Sequence, residues 1–162
     1  KIEPVYGFER TLQAEPKPAR YRTDIFLGVR ATYGTEVIAG ELEVNQSNSE
    51  NEVSGVKVKT QNQNLLAGLR LVPLSGSFYN YYLRGGMRAR QGTTEITQNG
   101  ETNKTTNGTQ LDPYAGTGLI ISLAGVLSLN ASATLIYNRN AETDEQYDTQ
   151  YALGFTFGFG NR

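Results

Sequence analysis

The chain has 162 residues, with 15 Lys and Arg against 16 Asp and Glu, no His, no Cys, no Trp and a mean hydropathy of -0.45. These numbers fit one domain over residues 1–162, and they exclude a disulfide framework, thiolate metal sites, a histidine base and the basic surface of a nucleic-acid binder. No run of about 18 apolar residues could form a membrane-spanning helix. A polar average still permits a membrane barrel, because its strands hide the apolar half in alternation.

Period-two alternation runs along the chain. The first strand, near Val5 to Leu12, sends Tyr6, Phe8 and Leu12 one way and Gly7, Glu9 and Thr11 the other, leaving Arg10 on the apolar side. In the second, Ile25, Leu27, Val29, Ala31 and Tyr33 oppose Asp24, Gly28, Arg30 and Thr32. Ile38, Leu42 and Val44 oppose Glu41 and Glu43; Leu65, Ala67, Leu69 and Leu71 oppose Asn64, Gly68 and Arg70. Tyr79, Tyr81, Leu83, Met87 and Ala89 oppose Asn80, Arg84, Arg88 and Arg90. Ala115, Leu119, Ile121 and Leu123 then oppose Tyr114, Gly116, Gly118 and Ser122. Leu127 to Tyr137 alternates with Ser128, Asn130, Ser132 and Thr134, and Tyr147 to Phe159 with Asp148, Gln150, Ala152, Gly154 and Thr156.

This predicts about eight antiparallel strands, each long enough to cross a bilayer when tilted. Gly34-Thr35, Pro73-Leu74-Ser75-Gly76 and Ala124-Gly125-Val126 read as tight turns. Ala14–Arg20, Gln46–Glu52, Gln91–Gln110 and Asn138–Gln146 read as long loops. Strict alternation of short and long places all long loops at one end of an up-and-down barrel and both termini at the other. The polar faces of the last three strands are Gly, Ser, Asn and Thr, too poor in charge for a water-facing wall. Aromatics gather near the strand ends, as at two membrane interfaces. The expected fold is therefore all-β, an antiparallel up-and-down transmembrane barrel. The alternative is a soluble barrel that turns its apolar face inward around a ligand.

Three segments carry a resemblance. Asp112-Pro113-Tyr114-Ala115-Gly116-Thr117-Gly118-Leu119 resembles the Pro-Tyr-x-Gly-x-Gly strand of small bacterial outer-membrane β-barrel families. Tyr81-Tyr82-Leu83-Arg84-Gly85-Gly86-Met87 resembles the hairpin strand before it, and Tyr151–Phe159 the aromatic final strand read by the barrel-assembly machinery. The chain departs from that pattern by adding Gly160-Asn161-Arg162. The resemblance implies a bacterial outer membrane, with long loops extracellular and both termini periplasmic. Lys1-Ile2-Glu3-Pro4 is no signal peptide, so an exported chain is expected here in processed form.

Without histidine, the familiar acyl-transfer and protease chemistries lack their base, and no enzyme activity, cofactor or metal is expected. Glu9, Glu41 and Glu43 share the polar face with Arg30, Arg70, Arg84 and Arg88. Eight strands leave an interior just wide enough for side chains. These seven are therefore expected to fill it as an ion-pair network, with Arg84 and Arg88 both meeting Glu41, Glu43 or both, rather than to form a selective pore. Glu142, Asp144, Glu145 and Asp148 read as a solvated acidic loop, with a divalent-cation site as the less favoured reading. On the apolar side, Ala31, Ala67, Gly85, Ala89, Ala131 and Ala133 are small where Leu or Val is ordinary. Small residues permit close packing in lipid. The expected role is structural or interactive, in contact with membrane lipids; the small residues read first as a fit to local curvature or strand packing, and second as walls that join copies into a homo-oligomeric ring enclosing lipid. The alternative is a binding or transport barrel that uses its interior.

Overall fold

A computed structural model describes residues 1–13, 20–53, 56–98, 101–124, 127–138 and 147–157. Among these residues the chain forms nine strands and no helix: β1 (Ile2–Gln13), β2 (Arg20–Gly34), β3 (Ile38–Val53), β4 (Val56–Ser75), β5 (Tyr79–Gln98), β6 (Glu101–Thr106), β7 (Gln110–Ala124), β8 (Leu127–Tyr137) and β9 (Tyr147–Phe157). Eight of them close a ring in the order β1-β2-β3-β4-β5-β7-β8-β9, with every neighbour antiparallel and β9 returning to β1. The ninth, β6, lies outside the ring, on the edge of β5 above β7.

Closure removes sheet edges and divides the side chains into two populations. The outward set is apolar: Leu27, Val29, Leu42, Leu69, Leu135 and Leu153 are each about half exposed or more. Tyr33 and Phe78 stand exposed beside the short turns, and Tyr137 meets Tyr147 edge-on toward the other end. The apolar band has a sharp upper limit. The outward row Val44, Leu65, Ala89 and Leu111 is followed two residues up by Gln46, Gln63 and Gln91. A bilayer crossing needs about 9–11 residues per tilted strand. The 20 residues of β4 and of β5 therefore extend well past the band.

The short turns follow from local chemistry. Gly34 has φ of 150°, a conformation that costs a side-chain-bearing residue dearly. The Thr35 amide then donates to the Ile38 carbonyl at 2.8 Å, closing β2 onto β3. The next turn is Gly76–Phe78 rather than Pro73–Gly76, because β4 continues to Ser75 through an irregularity between Leu71 and Leu74. Proline lacks the ladder donor and is tolerated at such a bulge.

Two predicted loops are strands. Gln46–Glu52 belongs to β3, paired with β4 as far as Val53↔Val56, and Gln91–Gln110 holds the upper half of β5, all of β6 and the first residue of β7. Polar residues on both faces erase the hydrophobic alternation there, yet Thr-rich strands still pair through their backbones. The predicted loops at 14–20 and 138–146 lie outside the described residues apart from their ends. So do Glu142, Asp144, Glu145, Gly125-Val126 and Gly160-Asn161-Arg162. Asp148 is no loop residue: it sits in β9 and is fully buried. Arg10 does lie on the outward face.

Candidate functional site in the barrel lumen

Parity along each strand sends the chemically active residues inward. Glu3 and Glu9 come from β1, Arg30 from β2, Glu41 and Glu43 from β3, Arg70 from β4 and Arg84 and Arg88 from β5. Asp112 comes from β7 and Asp148 from β9. All ten are at most 5 % exposed.

They divide into two groups stacked along the barrel axis. The group nearer the short turns interleaves three guanidiniums with three carboxylates. Arg30 donates through Nε to Glu43 Oε2 at 2.8 Å and through Nη1 to Glu3 Oε1 at 3.0 Å. Arg70 and Arg84 are direct cross-strand partners, a like-charge pairing that is unfavourable by itself. Glu41 resolves it, accepting from Arg70 Nε at 2.8 Å and lying 2.6 Å from Arg84 Nη2. Arg84 also reaches Glu43 at 3.0 Å. The Arg70 guanidinium stacks 4.1 Å from the centre of the Tyr82 ring, and Arg84 lies 5.1 Å from that of Tyr114, positions a ring quadrupole favours.

In the second group, one arginine meets three carboxylates. Arg88 donates to Glu9 at 2.7 Å, Asp112 at 2.9 Å and Asp148 at 3.1 Å. Arg90, partly exposed, adds a longer contact of 3.6 Å to Asp148. Two amides join the groups: Asn45 donates to Glu43 at 2.8 Å, and Asn64 donates to Asn45 at 2.9 Å and to Glu9 at 3.4 Å.

These bonds join strands at several distances around the ring, up to directly opposite ones. The Arg88–Glu9 bond links β5 to β1, which stand opposite each other in the ring of eight. Arg30 reaches Ser132 on β8 at 3.3 Å, and Asn130 on β8 donates to both oxygens of Glu3 at 2.8 and 2.9 Å. Tyr82 donates to Asn130 at 2.9 Å, and Thr156 donates to Glu3 at 2.9 Å. Glycines on the inner wall make room for these side chains. A Cβ on Gly118 would run into the Tyr82 ring, one on Gly68 would crowd the Tyr114 hydroxyl, and one on Gly154 would run into the Glu3 carboxylate.

The seven residues expected to share the lumen thus lie together in it, and one pairing differs from expectation. Arg88 meets Glu9, Asp112 and Asp148, not Glu41 or Glu43. Arg84 and Arg88 are four residues apart on one strand, about 13 Å, too far to share one pair of carboxylates. Glu3, Asp112 and Tyr82 are lumen residues beyond those expected, and Asn130 and Tyr114, expected on the polar face, join the network as well. Parity carried from Glu9 down to Glu3, and from Gly116 back to Asp112, was the signal available.

The small outward residues occupy two hollows in the outer wall. Ala131 and Ala133, with Thr117, floor a groove of about 670 Å³ flanked by Phe8, Tyr81 and Tyr151. Ala31 and Ala67 line a second hollow, of about 500 Å³, with Gly40 and Leu42 between them. Gly85 and Ala89 are outward on β5 and half-buried.

A family described as "Protein of unknown function, DUF481" matches residues 80–159. No curated protein matches the chain. Among solved structures, the chain is similar to Neisserial surface protein A at a TM-score of 0.75 and 10% identity, covering 98% of this chain and 95% of that one. It is similar to Ail, the attachment invasion locus protein of Yersinia pestis, at 0.60 and 13%, covering 98% and 97%. It is similar to CarO of Acinetobacter baumannii at 0.59 and 10%, covering 96% and 97%. What is shared at these identities is the fold: the chain has the architecture of the small outer-membrane β-barrels.

Proposed function

We propose that the protein is a non-catalytic integral barrel of a bacterial outer membrane, with a lumen sealed by its own side chains, acting through its outer surfaces. The observation that carries this reading is the division of charge across one wall. Arg30, Arg88, Glu9 and Glu43 are at most 1 % exposed, while Leu27, Val29 and Leu69 on the same strands or their neighbours are more than half exposed. A soluble ligand-binding barrel needs the reverse. A continuous exposed apolar band on a soluble chain would be an aggregation liability.

The sealed lumen is supported by the Arg88–Glu9 bond between strands on opposite sides of the ring, by further bonds between non-adjacent strands, and by interior carboxylates held by guanidiniums. The non-catalytic role is supported by the same pairing and by the absence of histidine. Neighbours by fold include a surface protein and an attachment protein, which favours an interaction role. Orientation follows from the polar upper halves of β3, β4 and β5, which suit the extracellular side, and leaves the short turns and the ends of β1 and β9 in the periplasm. During biogenesis, the aromatic outward face of β9 is the segment offered to the assembly machinery.

In the membrane, lipid chains cover the band, and the hollows at Ala131–Ala133 and Ala31–Ala67 allow walls of neighbouring copies to approach, with lipid filling a ring of such copies. Folding into phospholipid vesicles tests the core of the reading. The expected result is a species that stays compact in SDS until boiled and floats with the vesicles. A chain that remains monodisperse in buffer without detergent would contradict it. Native mass spectrometry from nanodiscs tests the ring, and a strictly monomeric species would contradict that part alone.

A further inference from the structure

Above the apolar band, β3, β4, β5 and β6 continue as a four-stranded sheet with two edges that no described strand pairs. Among the described residues β6 pairs with β5 alone, and β3 has no partner on its other side beyond Phe26↔Ser47. One row across this sheet is a strict charge ladder: Glu50↔Lys59↔Glu95↔Lys104. Lys104 lies 3.1 Å from Glu95, and Lys57 reaches diagonally to Glu50 at 3.5 Å. The parity of this row continues that of the lipid-facing residues, so the charges point away from the barrel axis. Each ladder end is unmatched at its edge, a cation at the β6 edge and an anion at the β3 edge.

We infer that the β6 edge of one copy receives the upper β3 edge of a second copy, with Lys104 opposite Glu50, extending the extracellular sheet from barrel to barrel. Three observations select this occupant. The edges are complementary in charge, and joining them continues the alternation without a like-charge contact; two β6 edges would instead set Lys104 against Lys104. The directions also agree. Copies in one membrane stand the same way up, β3 runs away from the short turns and β6 runs back toward them, so the two meet antiparallel, as every other pair in this sheet does. Finally, Thr and Asn flank Lys104 on β6, with no proline and only one charge in Thr102–Thr106 to block a docking strand. The contact is heterologous, so it makes rings or rows. The free edges lie on the same sides of the ring as the two wall hollows, β6 toward β8 and β3 toward β2. The inference rests on the membrane reading, which fixes the common orientation.

Cysteine cross-linking in the outer membrane of a Gram-negative host tests it, since the chain has no cysteine of its own. The register Lys104↔Glu50 also sets Thr106 opposite Asn48. T106C and N48C co-expressed should give an oxidised dimer, the double variant a ladder, and either single variant none. Replacing T106C by T102C, four residues out of register on the same face of the β6 edge, should weaken the dimer several-fold. K104E on the T106C chain should abolish the link, and E50K on the N48C chain should restore it. Equal cross-linking by the single variants, or insensitivity to K104E, would overturn the inference. So would no link from folded barrels, folding being read from mobility before and after boiling. A chain that never reaches the membrane fraction contradicts the membrane reading instead.

Discussion

The same alternation of Arg or Lys with Glu occurs twice along these strands, in two different solvents. In the lumen, Arg88 and its three carboxylates are at most 1 % exposed; in the upper sheet, the Lys104–Glu95 pair has side chains 62% and 36% exposed. Water screens the upper ladder, so each of its pairs contributes little to stability and serves to set register and edge character. In the lumen, removing one partner strands a charge away from water, and the loss is severe. One sequence pattern therefore encodes a rigid interior below and an adaptable surface above, and the apolar band at Val44, Leu65 and Ala89 marks where one becomes the other.

The largest break in this comparison is expected from Arg88→Leu. It takes from Glu9, Asp112 and Asp148 the one guanidinium they share, and should destabilise the barrel by about 3–5 kcal/mol, read from the urea midpoint of folding into vesicles. Adding Glu9→Gln should recover part of that loss. Next comes the lipid side: Val29→Arg, at the middle of the outward run of β2, should cost about 2–4 kcal/mol in the same assay. A smaller cost, about 1–3 kcal/mol, is expected from Gly118→Val, whose added methyls would meet the Tyr82 ring inside the packed lumen. The smallest effect should come from Lys59→Ala. Although it sits in the centre of the upper ladder, it should shift the midpoint by less than about 1 kcal/mol. A Lys59→Ala loss as large as that of Arg88→Leu would erase the distinction between the two regions.

The barrel was legible because period two makes each apolar residue declare a face. From Ile25 to Tyr33 and from Tyr147 to Phe155 the inward and outward sets follow that parity. Phe26 and Leu66 were silent, since both lie next to outward apolar residues and composition alone cannot mark them as interior. The upper sheet has the sequence of a loop because Ser, Thr, Asn and Gln fill both of its faces, and its pairing rests on backbone bonds that hydropathy does not record. The seven expected lumen residues followed from parity, as did the meeting of Arg84 with Glu41 and Glu43, but the partners of Arg88 did not. Which arginine meets which carboxylate depends on strand stagger around the ring, and that brings Glu9 of β1 to Arg88 of β5 across the full width of the lumen.

Planar-bilayer recording of single barrels tests the sealed lumen most directly. The ion-pair groups span the interior from β1 to β5 and from β2 to β8, so monomeric wild-type protein should give no steady single-channel current at moderate voltage. A stable, ohmic open-channel current from that monomer would contradict the account.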